Sequence, residues 1–458
     1  MTEREEKEND MKVLFITTNI GSIFEVQESD SADNSKPTMM DKWIECFIGK
    51  IRDIGAHFVA IHCQEVGGKD YVKTIKYVDN WAKKILNKMM ELNYDKSRLF
   101  LDEDCSAPDK FTALGNLYFV HKDVVNIDIY DFATYNFTAI GANDHEILSG
   151  NIEKYTTKEK AKFPQNYFPD CKWSRKGFMR TRWRVNNKVV YDLVNIHLFH
   201  DANNITAMEA SPSIYAKNRK RALQHTLDRF EEDEHQKAPM FIFGDFNFRL
   251  DTHYLIKSIT GETKSREVRS KRDEVTKIDY LSTSDPTKGE IVLTIEKKGF
   301  EHYNHHDVFL YNHGQWMRDF DKEAREYDRL EEFPINFSPS YPYMENINDG
   351  MSFMKSRVPA WCDRIMYTKM AKNLMDYDST FPLIYDLIGA DTCMGDHKPV
   401  FLLFKLRATG AVKVESGARV GVSVPDRQIK ISECDSTKLI HVRQNGNSVV
   451  KVFRETTV

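Results

Sequence analysis

Residues 241–249 read Phe-Ile-Phe-Gly-Asp-Phe-Asn-Phe-Arg. An apolar run there ends in a carboxylate, an amide and a guanidinium spaced two residues apart. If the strand stays extended, that spacing puts Asp245, Asn247 and Arg249 on one side. A carboxylate so placed can orient or deprotonate a water. An amide can hydrogen-bond an oxyanion as its charge redistributes. Similar groups stand beside other apolar runs. Asn19 closes the first, Gln64-Glu65 the second, and Asn195 and His197 a third. Asp363-Arg364 follows Pro-Ala-Trp-Cys, and Asp396-His397-Lys398 precedes the last run. A single Asp or Asn after a strand is ordinarily a turn residue or a helix cap. Six strand ends that carry carboxylate, amide or imidazole form a set, and ligands of α/β folds gather at such ends.

The set is rich in oxygen and lacks thiolates, which suits a hard cation, Mg2+ foremost. Asn19 and Glu65 are its candidate ligands. A metal held by one or two carboxylates and several waters neutralises charge on a phosphoryl group and a leaving alkoxide. Asp245 is the candidate for activating water. Asn247, His197 and His397 are candidates for hydrogen bonds to the phosphoryl oxygens. A histidine in this role needs a partner to fix its tautomer, and Asp363 is the candidate.

Elements must bring these groups together. Buried strands are predicted at 12–17, 57–62, 117–121, 179–185, 189–198, 240–244, 363–368 and 399–405, where the runs are apolar or alternate. Helical patterns fill 39–53, 72–92, 211–231 and 315–332. Mixed strands and helices argue for a layered α/β sandwich. The polar stretches 141–176 and 258–289 read as loops or insertions. The chain divides into a charged extension at 1–10, a main domain at 11–407 and a β-rich tail at 408–458.

A net charge of −4 argues against a dedicated nucleic-acid binder but leaves room for a local basic pocket. No apolar run is long enough to span a membrane, and the first ten residues lack a signal-peptide core. Seven scattered cysteines without a CxxC pair suit neither a metal cluster nor a disulfide framework, so a cytoplasmic location is expected.

Two motifs carry a family resemblance: Gly244-Asp245-Phe246-Asn247-Phe248-Arg249 and Pro359-Ala360-Trp361-Cys362-Asp363-Arg364. Gly395-Asp396-His397-Lys398-Pro399-Val400, Gln64-Glu65 and Asn195 to Leu198 support it. The chain resembles the inositol polyphosphate 5-phosphatases of the DNase I-like endonuclease/exonuclease/phosphatase superfamily, from about residue 11 to 407. The resemblance implies an α/β (α+β) four-layer DNase I-like fold, with two stacked, mostly antiparallel sheets flanked by helices. It implies Mg2+ on Asn19 and Glu65, water activation by Asp245, contacts to the scissile phosphate from Asn247, His197 and His397, and pairing of Asp363 with His397.

A polyphosphate needs fixed cations. Arg175, Lys176 and Arg180 lie in one basic stretch and Arg219 in another. With Tyr341 and Arg364 they are the expected substrate contacts. Both stretches and 337–343 are similar to the type I branch, which acts on soluble inositol 1,4,5-trisphosphate and 1,3,4,5-tetrakisphosphate. Pro342 stands where the lipid-acting branches carry a lysine, so a cation from 175–182 is expected to take over the 4-phosphate. His200 is displaced from the position of the second family histidine. The chain ends Glu-Thr-Thr-Val458 without a prenylation box, and Thr456-Thr457-Val458 would suit a PDZ groove. The expected protein is a monomer without a nucleic-acid partner, with membrane contact limited to peripheral association at the plasma membrane. A phosphoinositide lipid 5-phosphatase, a nuclease and a non-catalytic module are the alternatives.

Overall fold

The computed structural model describes residues 11–25, 38–167, 175–283, 289–377 and 381–407, and the backbone of 437–444 and 447–454. The charged extension at 1–10 and the C-terminal 456–458 lie outside the described residues. Contacts divide the chain into compact units at Met1–Ala411 and Val412–Val458.

Two large sheets form the core of the larger unit, and a smaller four-stranded sheet joins them. The first runs in the order Met375–Asp376, Val400–Leu406, Met11–Asn19, Phe58–Gln64, Gly115–His121, Tyr94–Leu101 and Asp144–Leu148. The second runs Asp363–Tyr367, Met240–Asp245, Val189–His197, Gly177–Val185, Ile127–Asp131 and Asn136–Ala139. Within the second, Gly177 pairs with His197, His197 with Asp245, and Asp245 with Asp363. Four strands thereby deliver four positions in one row. In the first sheet Asn19 pairs with Gln64, the residue before Glu65.

Aromatic packing fills the space between the sheets. Phe15 stacks on Phe243 at 5.1 Å and meets Phe241 edge-on at 4.9 Å, the offset and edge arrangements that ring quadrupoles favour. The helices Met39–Ile54 and Val78–Glu91 cover the outer face of the first sheet through Trp43, Phe47 and Trp81. Ile214–Glu232 covers the second through Leu223, Leu227 and Phe230. Helix, sheet, sheet and helix make the four layers of a DNase I-like fold. Near the functional end the inter-sheet layer turns polar, where Gln64 donates to Asn195 at 2.8 Å and Asn195 to Asn116 at 2.9 Å. A satisfied network of this kind fixes the register of one sheet on the other.

Three expectations need correction. The stretch 258–289 reads as a loop in sequence, yet Thr263–Arg269 and Val275–Ser282 pair with each other and, through Ile291–Glu296, with Gly299–His302. Thr263–Arg269 is exposed along almost its whole length, so no apolar alternation marks it. Strands Asp144–Leu148 and Glu159–Lys162 likewise occupy the polar stretch at 141–176. The helix expected at 315–332 is two 3-10 segments, Tyr311–Phe320 and Glu323–Glu326. Among the described residues no helix is long and apolar enough to cross a membrane. In the smaller unit, Thr437–Gln444 and Asn447–Arg454 form an antiparallel pair.

Candidate active site

The two sheets end at one cluster. Gly244 explains the first letter of its motif: a Cβ there would lie 1.9 Å from the Ile196 carbonyl oxygen. Without a side chain, the strand ending in Asp245 packs tightly along the strand ending in His197. Past Asp245 the extended reading fails. Asn247 has φ 51°, so the chain turns instead of continuing flat. The turn is held by Asn247 N–H donating to Asp245 Oδ1 at 2.8 Å and by Asn247 Nδ2 donating to the Leu198 carbonyl at 3.1 Å. Arg249 Nη2 donates to Asn247 Oδ1 at 2.6 Å.

A second glycine shapes the oxygen-rich side. A Cβ on Gly21 would fall 2.6 Å from Glu65 Oε2 and 3.4 Å from Asn19 Oδ1. These two oxygens therefore adjoin the same small cradle, and Asn19 Nδ2 donates to Asp245 Oδ2 at 3.2 Å. Glu65 sits at φ 56°, a conformation non-glycine residues keep only where their surroundings impose it. Burial works against its charge. Arg175, Lys176 and His197 outweigh that and hold its pKa down to about 2. Asn19, Glu65 and Asp245 thus present an all-oxygen donor set of the kind a hard cation takes. Asp245, Asp363 and His397 also bring ligand atoms within 4.8 Å of one another.

The histidines differ in charge. Burial and Lys176 lower the pKa of His197 to about 4, although its Nε2 lies 3.3 Å from Asp245 Oδ2. It is a neutral imidazole, in contact with the Lys176 ammonium. His397 behaves oppositely. Burial disfavours its charge, but Asp363, Asp245 and Asp396 raise its pKa to about 9. Its Nδ1 donates to Asp363 Oδ2 at 2.8 Å, an oxygen that Ser340 also reaches at 2.7 Å. The pair is imidazolium and carboxylate. Burial opposes the charge of Asp245 as well, but His197 and the cationic His397 keep it ionised, far below the usual carboxylate range. One region therefore offers an ionised base, an imidazolium donor and a cradle of hard oxygens, the parts that phosphoester hydrolysis needs.

The family description Endonuclease/Exonuclease/phosphatase family 2 matches residues 170–403. Inositol polyphosphate-5-phosphatase A of Rattus norvegicus is 42% identical over 405 residues, covering 88% of this chain and 94% of the relative. The Homo sapiens protein of that name is 41% identical over 398 residues, covering 86% and 93%. The chain belongs to the inositol polyphosphate 5-phosphatases. A Caenorhabditis elegans relative described as "Probable type I inositol 1,4,5-trisphosphate 5-phosphatase" is 33% identical over 429 residues, covering 86% of this chain and all of the relative.

In this phosphatase the expected substrate contacts divide into two groups. Arg175 stands beside Glu65 at 3.9 Å and donates to the Gly68 carbonyl at 2.8 Å. Lys176 adjoins His197, and the ring of Tyr341 lies 4.5 Å from that of His397. These three reach the cluster. Arg180, Arg219 and Arg364 do not act there, because buried and part-buried carboxylates consume their guanidinium forks. Arg180 binds Asp192 at 2.6 Å and Asp233 at 2.5 Å. Arg219 binds Asp201 at 2.5 Å and Glu323 at 2.6 Å, and Arg364 binds Asp321 at 2.9 Å and Glu332 at 2.6 Å. The sequence displays the cations but not their distant partners. His200, the displaced histidine, is exposed.

The reading from sequence missed Arg249 as a candidate anion contact. Its guanidinium is buried, stacks over Tyr341 at 4.5 Å, and leaves Nε and Nη1 without a partner among the described residues. A buried cation with unpaired donors is costly unless an anion arrives. The motif showed the residue, and only the missing carboxylate shows its use.

Proposed function

We propose that this 5-phosphatase removes the 5-phosphate of soluble inositol 1,4,5-trisphosphate, and of the 1,3,4,5-tetrakisphosphate, with Mg2+, and so ends a calcium-releasing signal. The observation that carries the reading is the meeting of the Asn19–Glu65 cradle with ionised Asp245 and the Asp363–His397 pair. Bound there, Mg2+ would neutralise charge on the phosphoryl oxygens and the leaving alkoxide. Asn19 and Glu65 would hold it. Asp245 orients a water and takes its proton as it attacks phosphorus. His397 donates a hydrogen bond to a phosphoryl oxygen while Asp363 keeps the ring charged and aligned. Arg249 pairs with a further oxygen of the same group. Lys176 and Arg175 add positive charge for the ring phosphates.

The relatives that share most of the chain, one described as a type I trisphosphate enzyme, support a soluble substrate. So does Pro342 in place of a lysine. The reading takes the enzyme to be a cytoplasmic monomer, with peripheral contact at the plasma membrane compatible with it and no nucleic-acid partner. The test is phosphate release from inositol 1,4,5-trisphosphate with Mg2+ and with EDTA, for wild type and Asp245→Asn. Release that needs Mg2+ and collapses in the variant is expected. No release from the wild type overturns the reading.

A further inference from the structure

Beside the catalytic groups lies a charge cluster that the reaction as described does not use. The Gly67-Gly68 turn after Glu65 delivers Lys69, whose Nζ lies 2.5 Å from Glu345 Oε1 and 3.0 Å from Asp396 Oδ2. Asp396 immediately precedes His397. Lys69 therefore pairs with the residue next to the imidazolium, and its charge is among those that hold Glu65 ionised. It is also accessible, with side-chain exposures of 36% for Lys69 and 33% for Glu345.

The two carboxylates are not held alike. Ser22 Oγ lies 2.6 Å from Asp396 Oδ1 and accepts from the Asp396 N–H at 3.1 Å, so Asp396 is fixed by backbone and side chain together. Glu345 Oε1 lies 2.5 Å from the same hydroxyl. One hydroxyl has one hydrogen, so it cannot donate to both carboxylates. Glu345 belongs to the loop closed by the bridge between Tyr343 and Phe353, and among the described residues only side chains of Lys69 and Ser22 bond its carboxylate. Burial disfavours the Lys69 charge, but Asp396 and Glu345 raise its pKa well above the ordinary value, so it stays an ammonium while the Glu345 side of the pair remains open to solvent.

We propose that Lys69 is a specificity-determining residue that binds a ring phosphate not being hydrolysed, and that Glu345 occupies its ammonium until the substrate arrives. The inference rests on the polyphosphate substrate proposed above. A phosphate dianion can replace the Glu345 carboxylate on Lys69, after which Glu345 turns to solvent while Asp396 stays with Ser22. A contact to a non-reacting phosphate acts on ground state and transition state alike, so it changes KM and leaves kcat.

The test is steady-state hydrolysis of inositol 1,4,5-trisphosphate by wild type, Lys69→Met, Glu345→Gln and the double variant, each checked for an unchanged melting temperature. Lys69→Met is expected to raise KM about tenfold at nearly constant kcat. Glu345→Gln is expected to lower KM, and that gain should vanish when Lys69 is already Met. Unchanged KM in both single variants, with a competent wild type, overturns the proposal and leaves the proposed activity standing. A fall in kcat without a change in KM overturns it in favour of a structural role through Asp396. A wild type that releases no phosphate overturns the proposed activity and this inference with it.

Discussion

His397 and Asp363 meet at 2.8 Å although they come from opposite sheets. Asp363 opens a strand of the second sheet, and His397 precedes the strand Val400–Leu406 of the first. The contact thus joins the halves of the sandwich at the point where charge must be stabilised. Asp363→Asn keeps the shape and removes the charge. It should lower kcat about 100-fold, the usual cost of a lost donor to an oxyanion.

The same pair sets a pH dependence. His397 has its pKa raised to about 9 by Asp363 despite burial. Its donor form is therefore present below that value and disappears as pH rises through it. The stability it contributes is full below the ordinary imidazole pKa of about 6.5 and is lost between there and about 9. The alkaline limb of kcat should fall near 9, and in Asp363→Asn it should move to lower pH. A pH–rate profile of the two proteins checks this, and an unmoved limb would assign it to another group.

Gly21 gives a test of the oxygen cradle that touches no ligand chemically. Gly21→Ala puts a methyl 2.6 Å from Glu65 Oε2 and must displace that carboxylate. The variant should fold but require at least about tenfold more Mg2+ for half-maximal activity, the scale of loss when ligand placement is disturbed. Titration of Mg2+ against rate decides it. An unchanged requirement would mean that Glu65 does not hold the metal.

Arg249 should show a trade between stability and activity. Its buried guanidinium leaves two nitrogens without a partner among the described residues, so Arg249→Met removes a desolvation cost and preserves much of the apolar stem. The melting temperature should stay or rise while kcat/KM falls about 100-fold. A loss of stability with normal kcat/KM would make Arg249 a scaffold residue instead.

How much of this was legible in the sequence followed from burial. The strand Met240–Asp245 is buried throughout, and its run of Met, Phe and Ile announced it. The strand Thr263–Arg269 buries almost nothing, so only pairing with Val275–Ser282 defines it. At the site, side chains at strand ends could be named because their chemistry is rare in company. Asp363 and His397 pair by type, since an imidazole needs a carboxylate to fix its tautomer. The basic residues were less transparent, because a cation reads alike whether it faces solvent, phosphate or a buried carboxylate. Arg175 and Arg180 lie five residues apart, yet one borders Glu65 and the other is locked to Asp192. The difference lies in partners up to 110 residues away in sequence.

Arg180 tests that distinction. Its fork holds Asp192 and Asp233 in a buried network, and Arg182 also reaches Asp192 at 2.5 Å. Burial pushes Asp192 up, but the two arginines prevail and lower its pKa. That stabilisation is present above the unfolded carboxylate pKa of about 3.9 and is lost as pH falls through the lower folded value. Arg180→Met leaves the part-exposed Asp233 without its close partner while Arg182 still holds Asp192, and should cost roughly 2 kcal/mol, the scale of a lost hydrogen bond to a charged group. Urea denaturation at neutral pH measures it. KM for inositol 1,4,5-trisphosphate in the folded protein should not change, since the guanidinium faces Asp192 and not the cluster. A KM raised tenfold with unaltered stability would return Arg180 to the substrate.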